Sequence, residues 1–492
     1  MLGSFLLTDF VCGVKAKPAK LVTVLCLIIL VTQVYNELMT RQQRLVLIIA
    51  ILASFVAFLD GSVVNVALPA ISRELGGGLP VQQWVVDAYL LTLGSLMLLA
   101  GSLSDLLGRQ RILRVGIIGF GLASLLCAFA PSSAVLIAAR ALQGIAGALL
   151  VPSSLALIMS TFSGKAQGQA IGHWTAWTGI AFLFGPLLGG FFVDAISWRW
   201  VFGINVLPIV VTLGLMKGLV PEGVTKERVH LDTVGAVLAG IGLVAAVYGL
   251  IEQSRYGWEN AMIRWAVGGG ILLLLGFLWY ERRAKHPMLP LSLFNARNFA
   301  VGNAATTAIY AGLSIATFIV AVFVQQVSGY SAFQAGLALL PITLLMFFLS
   351  PRVGRLASTY GPRWFMAGGP LLGAVGFLLM LRVGQHTSYW THLFPGVVMF
   401  GLGLSITVSP LTSAILGSIE SRRAGIASAV NNMVARVAGL LGIAFIGLVV
   451  GDRLDVAGFH RAALVTAGLL AIGGIISAIG ITNRTQPQEI SE

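Results

Sequence analysis

Long apolar segments alternate with short polar ones along most of the chain. From Leu45 onward each apolar segment is about 20 residues long, and a helix rising about 1.5 Å per residue needs that length to cross ~30 Å of hydrocarbon. The pattern predicts an all-α polytopic membrane protein with fourteen spanning helices. We place these helices near residues 45–69, 83–103, 112–130, 134–160, 169–193, 200–217, 233–251, 262–280, 299–327, 332–350, 364–383, 392–417, 425–450 and 461–481.

The composition agrees with a membrane protein. Hydrophobic residues make up 57% of the 492 residues and charged residues only 10%, which is too little charge to cover the surface of a soluble protein. The net charge of +13 could indicate a nucleic-acid partner. We favour the alternative that the basic residues lie in short loops and contact anionic lipid, and we expect no nucleic-acid partner.

The distribution of basic residues predicts the orientation of the helices. With the first helix entering from the cytoplasm, the predicted cytoplasmic segments from Arg41 onward contain 19 lysines and arginines, and the opposite segments contain seven. Loops rich in lysine and arginine stay on the cytoplasmic side. We therefore expect both ends of the fourteen-helix body in the cytoplasm.

Residues 1–40 do not fit this pattern as well. Lys15, Lys17 and Lys20 precede an apolar run at 21–34. This order is typical of a signal peptide, but no clear small-x-small cleavage site follows. The segment is either an N-terminal extension absent from the mature protein, such as an upstream misassigned start, or an additional spanning helix. We prefer the extension.

An internal repeat divides the remaining chain. The segment Gly101–Gly108, with the pattern G-x-L-x-D-x-x-G, recurs 253 residues later as Gly354–Gly361, with serine in place of the aspartate. Both copies follow a predicted inward-running helix, so the repeat predicts two six-helix halves with a substrate site between them. We expect a bundle at 41–217, two inserted helices with cytoplasmic linkers at 218–298, a second bundle at 299–483 and a cytoplasmic tail at 484–492.

Motifs for catalysis or cofactor binding are missing from the sequence. Its three cysteines and six histidines are dispersed, which predicts neither a disulfide framework nor a metal site. The pair Gly164-Lys165 lacks both the upstream glycine and the following serine or threonine of a phosphate-binding loop. We expect no enzyme, no cofactor and no ATP hydrolysis, so any pumping must draw on an ion gradient.

Ionisable side chains within the predicted helices are the first candidates for function, because a charge is expensive in hydrocarbon. Asp60 lies about fifteen residues into the first helix, roughly 22 Å deep, and Asn65 follows it. The carboxylate could exchange a proton or meet a cationic substrate, or it could be structural. Arg140 in the fourth helix could snorkel to the membrane surface, but Gln143 shares its helix face and favours a role in the cavity.

Two further polar features allow two interpretations each. Asp87 enters the second predicted helix near the outer face, where it either lines the cavity or is simply hydrated. Asn431, Asn432 and Arg436 form a cluster in the thirteenth helix that is too polar for a lipid-facing surface. The cluster either lines the cavity or fixes that helix to its neighbours.

The fifth predicted helix contains a glycine-proline motif. A proline in a helix removes one backbone hydrogen bond, and glycines permit close packing. The motif indicates either a kinked packing helix or a hinge and seal in a moving protein. Its residues are Gly185, Pro186, Gly189 and Gly190.

A polar turn joins the second and third predicted helices at Gly101–Arg111. It contains Asp105, Gly108 and Arg109, an unusual density of charge in a chain with so few charged residues. We predict that this cytoplasmic turn helps to set a conformational equilibrium.

Taken together, these segments resemble the major facilitator superfamily, and within it the fourteen-helix drug:proton antiporters. The resemblance covers about residues 41–483. The segments similar to motifs A, B and C of the superfamily are Gly101–Arg111, Arg140–Gly147 and Gly185–Gly190. Ahead of the last segment, Ala181 occupies a position where motif C usually has glycine. The segments similar to the subfamily are Leu59–Pro69 with Ser62 in place of threonine, Trp198–Asn205, Pro287–Leu291 and Gly425–Arg436.

The resemblance implies alternating access driven by proton entry, with export of drugs or other amphipathic, often cationic compounds across the inner membrane of a bacterium. Asp60 would couple protons to substrate, Arg140 would support proton movement, and the fifth helix would seal the cavity. Asp105 would hold the cytoplasmic side closed at the N-terminal end of the thirteenth helix, where the helix dipole favours a carboxylate. Arg109 would fix that loop.

Other functions remain open at this stage. The inner parts of the helices beyond the first contain few acids, which argues against a preference for multiply charged cations. A dedicated exporter of a single metabolite, siderophore or lipid would carry the same motifs, whereas a non-transporting receptor or scaffold would not need them. We expect a monomer whose partners are a small-molecule substrate, protons and membrane lipid, with no metal.

Overall fold

The computed structural model describes residues 39–220, 231–384, 387–420, 423–451 and 454–483. Within these residues the backbone is almost entirely helical and forms no strand. The sequence predictions for residues 1–38, for the part of the linker at 221–230 and for the tail at 484–492 lie outside the described residues.

The helices of the described residues lie close to their predicted positions. They are α1 (Arg41–Leu75), α2 (Gly78–Leu107), α3 (Arg109–Ala128), α4 (Ser133–Thr161), α5 (Gly164–Ala195), α6 (Trp200–Met216), α7 (Thr233–Tyr256), α8 (Ala261–Glu281), α9 (Arg297–Gln326), α10 (Ala332–Tyr360), α11 (Arg363–Leu379), α12 (Phe394–Leu416), α13 (Ala424–Val450) and α14 (Val456–Gly480). Of these, 13 are long and apolar enough to cross a membrane, and α6 is shorter. The predicted all-α polytopic fold is confirmed.

Polar caps and glycines set several helix ends. Thr40 precedes α1, and its hydroxyl accepts a hydrogen bond from the backbone N–H of Gln43 in a reciprocal capping box. Ser331 does the same at the start of α10. Gly108 and Gly361 have φ angles of 93° and 86°. Residues other than glycine rarely adopt positive φ angles, because their Cβ atom clashes with the backbone. The two copies of the internal repeat therefore both turn at a glycine, one between α2 and α3 and the other between α10 and α11.

Two six-helix bundles lie on either side of α7 and α8 in the chain. Helices α1 to α6 pack mainly on one another, as do α9 to α14. The α7–α8 pair is packed backbone to backbone, since a Cβ at Gly270 would overlap the backbone of Ala246. Helix α7 lies against α2 and α13 through a cluster that includes Leu91, Val247 and Leu440.

The two bundles are joined near the end that is predicted to face away from the cytoplasm. Gln325 of α9 donates a hydrogen bond to the carbonyl oxygen of Val66 at 3.1 Å. Gln83 of α2 donates to the carbonyl oxygen of Ile443 at 2.6 Å. Toward the other end α13 is less enclosed, and Asn432 is exposed. The space between the bundles is therefore closed at the predicted outer end.

Candidate functional site

A buried carboxylate in α1 lies at the centre of a polar network inside the first bundle. The Oδ2 atom of Asp60 accepts a hydrogen bond from Nη1 of Arg140 at 2.5 Å. Its Oδ1 atom accepts from the side-chain amides of Gln143 at 2.8 Å and Asn205 at 3.0 Å. The side chain of Asp60 is 0% exposed and that of Arg140 is 1% exposed. The pair is therefore an ion pair sealed from solvent and held by further hydrogen bonds, as a buried pair requires.

Arg140 is fixed independently of the carboxylate. Its Nε donates to the carbonyl oxygen of Val85 at 2.9 Å, and its Nη1 donates to Oε1 of Gln143 at 2.6 Å. The guanidinium lies 4.4 Å from the ring centre of Tyr89 and 5.6 Å from that of Phe202. Aromatic faces stabilise a cation in this arrangement. The snorkelling alternative is therefore excluded in this conformation, because the side chain is directed into the bundle.

The two amides of the network share a second acceptor. Gln143 donates to the hydroxyl of Ser124 at 2.9 Å, and Asn205 donates to the same oxygen at 3.3 Å. Each amide can therefore keep one hydrogen bond when the charge of Asp60 changes. The amide N–H groups of Gln143 and Asn205 therefore do not depend on the Asp60 carboxylate alone, whereas Arg140 would lose its counter-ion if Asp60 bound a proton.

Close packing of α4 on α2 brings the arginine to the carboxylate. A Cβ at Gly144 would overlap the side chain of Thr92 and the carbonyl oxygen of Tyr89. Thr92 also donates a hydrogen bond to the carbonyl oxygen of Ala141 at 2.8 Å. A glycine at this position lets the two backbones approach, and Arg140 then reaches across to α1.

Asn65 is not part of this network. It lies five residues after Asp60 and so on a different face of α1, and its side chain is partly exposed. We grouped Asn65 with Asp60 in the sequence because both belong to one segment. The helical twist of α1 directs the two side chains to different sides.

Asp87 lies between the two bundles. Its side chain is 0% exposed, and neither carboxylate oxygen has a hydrogen-bond partner among the described residues. One turn away, Gln83 binds the backbone of α13. Two turns in the other direction, a Cβ at Gly94 would lie 3.6 Å from the Cβ of Arg436. Asp87 therefore lies on the face of α2 that packs on α13, and in this conformation it does not face an open cavity.

The glycines of α5 lie at its contacts with α1. A Cβ at Gly185 would overlap the hydroxyl of Ser62, and a Cβ at Gly189 would lie 2.7 Å from side-chain carbons of Val63 and Val66. Helix α5 continues without a break across Pro186. The motif therefore places α5 directly against the helix that carries Asp60.

The last glycine of this motif faces the other bundle. A Cβ at Gly190 would lie 2.5 Å from Cα of Phe333 in α10. In return, a Cβ at Gly336 of α10 would overlap the carbonyl oxygen of Pro186. These reciprocal contacts bring α5 and α10 together at the predicted outer end.

One functional candidate in the structure was missed by the sequence reasoning. Asp194, near the end of α5, accepts hydrogen bonds from the backbone N–H groups of Ala332 at 3.1 Å and Phe333 at 2.8 Å. These groups belong to the first turn of α10, where unpaired N–H groups and the helix dipole favour an anion. Asp194 thus joins the two bundles. In the sequence it resembles an ordinary acid at a helix end, so no signal distinguished it.

We expect Asp194→Asn to loosen this contact, because asparagine keeps the size of the side chain but loses its charge. A charge at a helix N-terminus contributes about 0.3–1 kcal/mol, so the fraction of molecules open at this end should rise about two- to fivefold. Double electron–electron resonance measures this fraction from the distribution of distances between spin labels at the exposed positions Ile196 and Leu337. Glu259→Gln, which removes a fully exposed carboxylate, is the control, and an unchanged distance distribution in Asp194→Asn would contradict the expectation.

Among the described residues, Asp105 in the turn between α2 and α3 forms no hydrogen bond or ion pair with α13. Asp105 is 49% exposed and pairs with Arg109 at 3.2 Å across Gly108. Gly101 faces Pro152 of α4, with 3.9 Å from its ideal Cβ to the proline side chain. The predicted latch therefore stays a prediction for a different conformation.

The polar cluster of α13 divides into two parts. Asn431 donates to the side-chain oxygens of Asn303 and Thr306, both at 3.1 Å, and so ties α13 to α9. Asn432 is exposed and donates to a backbone carbonyl of its own helix. Arg436 is partly exposed, and its guanidinium lies 5.3 Å from the ring centre of Phe58 in α1. The first asparagine fixes the helix, and the other two side chains face the space between the bundles.

Comparisons with known proteins agree with this architecture. The family model of the Major Facilitator Superfamily matches residues 50–443. The chain is 34% identical over 421 residues to the multidrug resistance protein Stp of Mycobacterium tuberculosis, over 85% of this chain and 78% of that protein. It is 35% identical over 412 residues to the puromycin resistance protein pur8 of Streptomyces alboniger, over 82% and 81%. A crystal structure of the peptide transporter POT in complex with sulfate aligns with a TM-score of 0.65 over 89% of this chain and 93% of that one, at 14% identity, which shows the fold alone.

The chain therefore belongs to the major facilitator superfamily. Its relatives place it in the multidrug efflux subfamily, as the resemblance of its motifs predicted. It is a multi-pass bacterial membrane protein that transports a small-molecule substrate.

Proposed function

We propose that the protein is a proton-coupled antiporter that exports drugs or other amphipathic small molecules across the cytoplasmic membrane by alternating access. The observation that carries the proposal is the buried ion pair of Asp60 and Arg140. A buried pair is costly to desolvate, and an ionisable group at this depth is a functional candidate by default. The relatives named for multidrug and puromycin resistance support drug-like compounds as substrates.

Proton binding at Asp60 would act on the contact between the bundles through two neighbouring helices. Protonation removes the negative charge opposite Arg140 and weakens the link between α1 and α4. Ser62, two residues further along α1, packs against Gly185 of α5. Helix α5 in turn holds α10 through Gly190. A shift of α1 would therefore displace α5 and, with it, the contact between α5 and α10 at the predicted outer end.

Asp87 is a second candidate for proton binding in this proposal. A buried carboxyl group without a hydrogen-bond partner is much less costly as the neutral acid than as the anion. The group lies between α2 and α13, which belong to different bundles. We propose that separation of these helices during transport hydrates Asp87 and allows it to release a proton.

The conformation described here fits an inward-facing state of this cycle. The outer contacts through Asp194 and Gly190 are formed, while Asp105 pairs with its neighbour Arg109. In the outward-facing state we propose that Asp105 docks at the N-terminal end of α13, as the resemblance implies. The bundle boundaries, the cytoplasmic location of both ends of the helical body and a monomeric state belong to the same proposal.

A dedicated exporter of one compound would share all of these features and would differ only in the range of compounds that it exports. A receptor or scaffold is the weaker alternative, because it has no need for a charge pair sealed inside a bundle. The expected preference for cations is not part of the proposal, since the partly exposed Arg436 lies in the space between the bundles.

A transport assay tests the proposal. Inverted membrane vesicles that contain the protein are given a proton gradient, and puromycin, cationic dyes and anionic dyes are added in turn. At least one compound should collapse part of the gradient, and vesicles from cells without the protein should show no such response. If no compound moves protons while the protein is present in the vesicles, the proposal is wrong.

A further inference from the structure

Arg436 is a charged side chain in the middle of α13 that has no counter-ion among the described residues. It lies twelve residues after the start of α13, which spans Ala424–Val450. Among the described residues no hydrogen bond or ion pair to its guanidinium is formed, and its contact is with the ring of Phe58, 5.3 Å away. Phe58 belongs to α1 in the first bundle, so the guanidinium reaches across the space between the bundles.

The other charges at this depth do not neutralise Arg436. Asp60 is bound to Arg140, and both are sealed inside the first bundle. Asp87 lies about two helical turns from Gly94, the residue of α2 that faces Arg436, which is roughly 10 Å along the axis. Its carboxyl group is fully buried. Among the described residues, the accessible charge in the middle of this space is therefore positive.

A guanidinium in a membrane interior requires hydration or an anion. Its planar set of donors fits a carboxylate, sulfonate or phosphate through two parallel hydrogen bonds. A cationic compound in the same place would be repelled, and the low dielectric of the site strengthens that repulsion.

The surroundings add an apolar and a polar surface to this charge. Phe58 offers an aromatic ring, and its exposure is partial. Asn432, one turn before Arg436 on the same face of α13, is exposed. On α1, three residues after Phe58, an ideal Cβ at Gly61 has no atom within 4 Å, so α1 is not closely packed at that position.

We propose that Arg436 is the anion-binding group of the substrate site, and that the exported compounds are amphipathic acids with an aromatic or apolar body and a carboxylate, sulfonate or phosphate group. This inference rests on the proposed export function for the identity of the ligand as a substrate. The charge preference of the site can be measured without any proton movement.

Two dyes of the same ring system and opposite charge test the inference. Fluorescein is an anion at pH 7.5 and rhodamine 6G is a cation, and their binding to purified full-length protein in nanodiscs of zwitterionic lipid is followed by fluorescence anisotropy. The wild type should bind fluorescein more tightly than rhodamine 6G. Arg436→Gln should weaken fluorescein binding about tenfold or more, as expected for loss of a charge-assisted pair, and should not weaken rhodamine 6G binding.

Three controls complete the experiment. Arg436→Lys keeps the charge but loses the planar pair of donors, so it should bind fluorescein less tightly than the wild type and more tightly than Arg436→Gln, which separates charge from folding. Arg264→Gln removes an exposed arginine and should change neither affinity. Nanodiscs with phosphatidylglycerol distinguish a lipid headgroup from a free amphipathic acid: unchanged fluorescein affinity supports the proposal, and a tenfold loss by competition overturns it.

The remaining outcomes are decisive as well. Absence of fluorescein binding to the wild type, or equal weakening of both dyes in Arg436→Gln, overturns the inference. If the charge preference is found but no compound moves protons in vesicles, the proposed antiport is wrong and the anion site stands. If protons move with cations alone, the antiport stands and the anion site is wrong.

Discussion

Asp60→Asn should reduce substrate-driven proton movement to the level of vesicles that lack the protein. Asparagine has nearly the same size as aspartate, and its side-chain oxygen can still accept a hydrogen bond from Arg140. It cannot bind and release a proton, so the step that couples proton entry to the contact between α1 and α4 is lost. Quenching of a pH-sensitive dye in inverted vesicles, with each compound that is active on the wild type, measures the effect.

The variant also carries a cost in stability that must be measured separately. Arg140 becomes a buried charge without a counter-ion, and breaking such a pair costs about 3–5 kcal/mol. Its hydrogen bonds to Val85 and Gln143 remain and offset part of that cost. The thermal midpoint and the amount of protein in the membrane are therefore recorded with transport. Glu259→Gln, the exposed carboxylate, should behave as wild type, and full proton movement in Asp60→Asn would contradict the assigned role.

Gly190→Ala should lower export about tenfold or more by preventing closure at the predicted outer end. An ideal Cβ at this position lies 2.5 Å from Cα of Phe333 and 2.6 Å from the carbonyl oxygen of Ala332. These are backbone atoms, which cannot turn aside as a side chain can. Overpacking of this kind costs about 1–3 kcal/mol, and 1.4 kcal/mol changes a conformational equilibrium about tenfold. The rate of export from loaded vesicles measures the effect.

Helix α5 provides a matched control for this substitution. Gly179 lies eleven residues earlier on α5, and an ideal Cβ there has no atom within 4 Å. Gly179→Ala therefore changes the helix propensity of α5 in the same way without touching α10. It should retain export within about twofold of the wild type. Equal losses in the two variants would indicate that helix flexibility, and not contact with α10, limits transport.

Most of the fold follows from the length and order of the apolar segments. The least accurate predictions were helix ends at prolines. The tenth helix was predicted to end before Pro351, yet α10 continues to Tyr360, and α1 continues past Pro69 to Leu75. A proline interrupts one hydrogen bond, but helices inside a membrane bundle tolerate this because neighbouring groups satisfy the freed carbonyl.

The candidate site was only partly predictable, because its residues come from distant parts of the chain. Asp60, Arg140 and Gln143 were each identified from their depth or their helix face. Their mutual contact joins residues about 80 positions apart, and no local pattern encodes it. Asn205 lies 145 positions from Asp60 and was noted only as part of a segment similar to the subfamily.

The contact between bundles was the least predictable feature. Asp194 acts on a helix N-terminus that begins 138 residues later, so its role depends on the tertiary arrangement of α5 and α10. The same holds for Asn431, whose partners Asn303 and Thr306 lie on α9. The density of polar residues in this cluster is visible in the sequence, but the partner of each residue depends on which helices pack against α13.

Proton-driven accumulation by the purified protein is the most direct test of the central claim. Liposomes that contain only this protein are prepared with an acidic interior, and a compound found active in vesicles is added outside. Internal pH and accumulated compound are recorded together. The account predicts that the compound accumulates as protons leave. Accumulation should stop with a protonophore, which dissipates the gradient, and both accumulation and compound-driven proton exit should stop in Asp60→Asn. Accumulation that continues at the same rate without a proton gradient would contradict proton-coupled export.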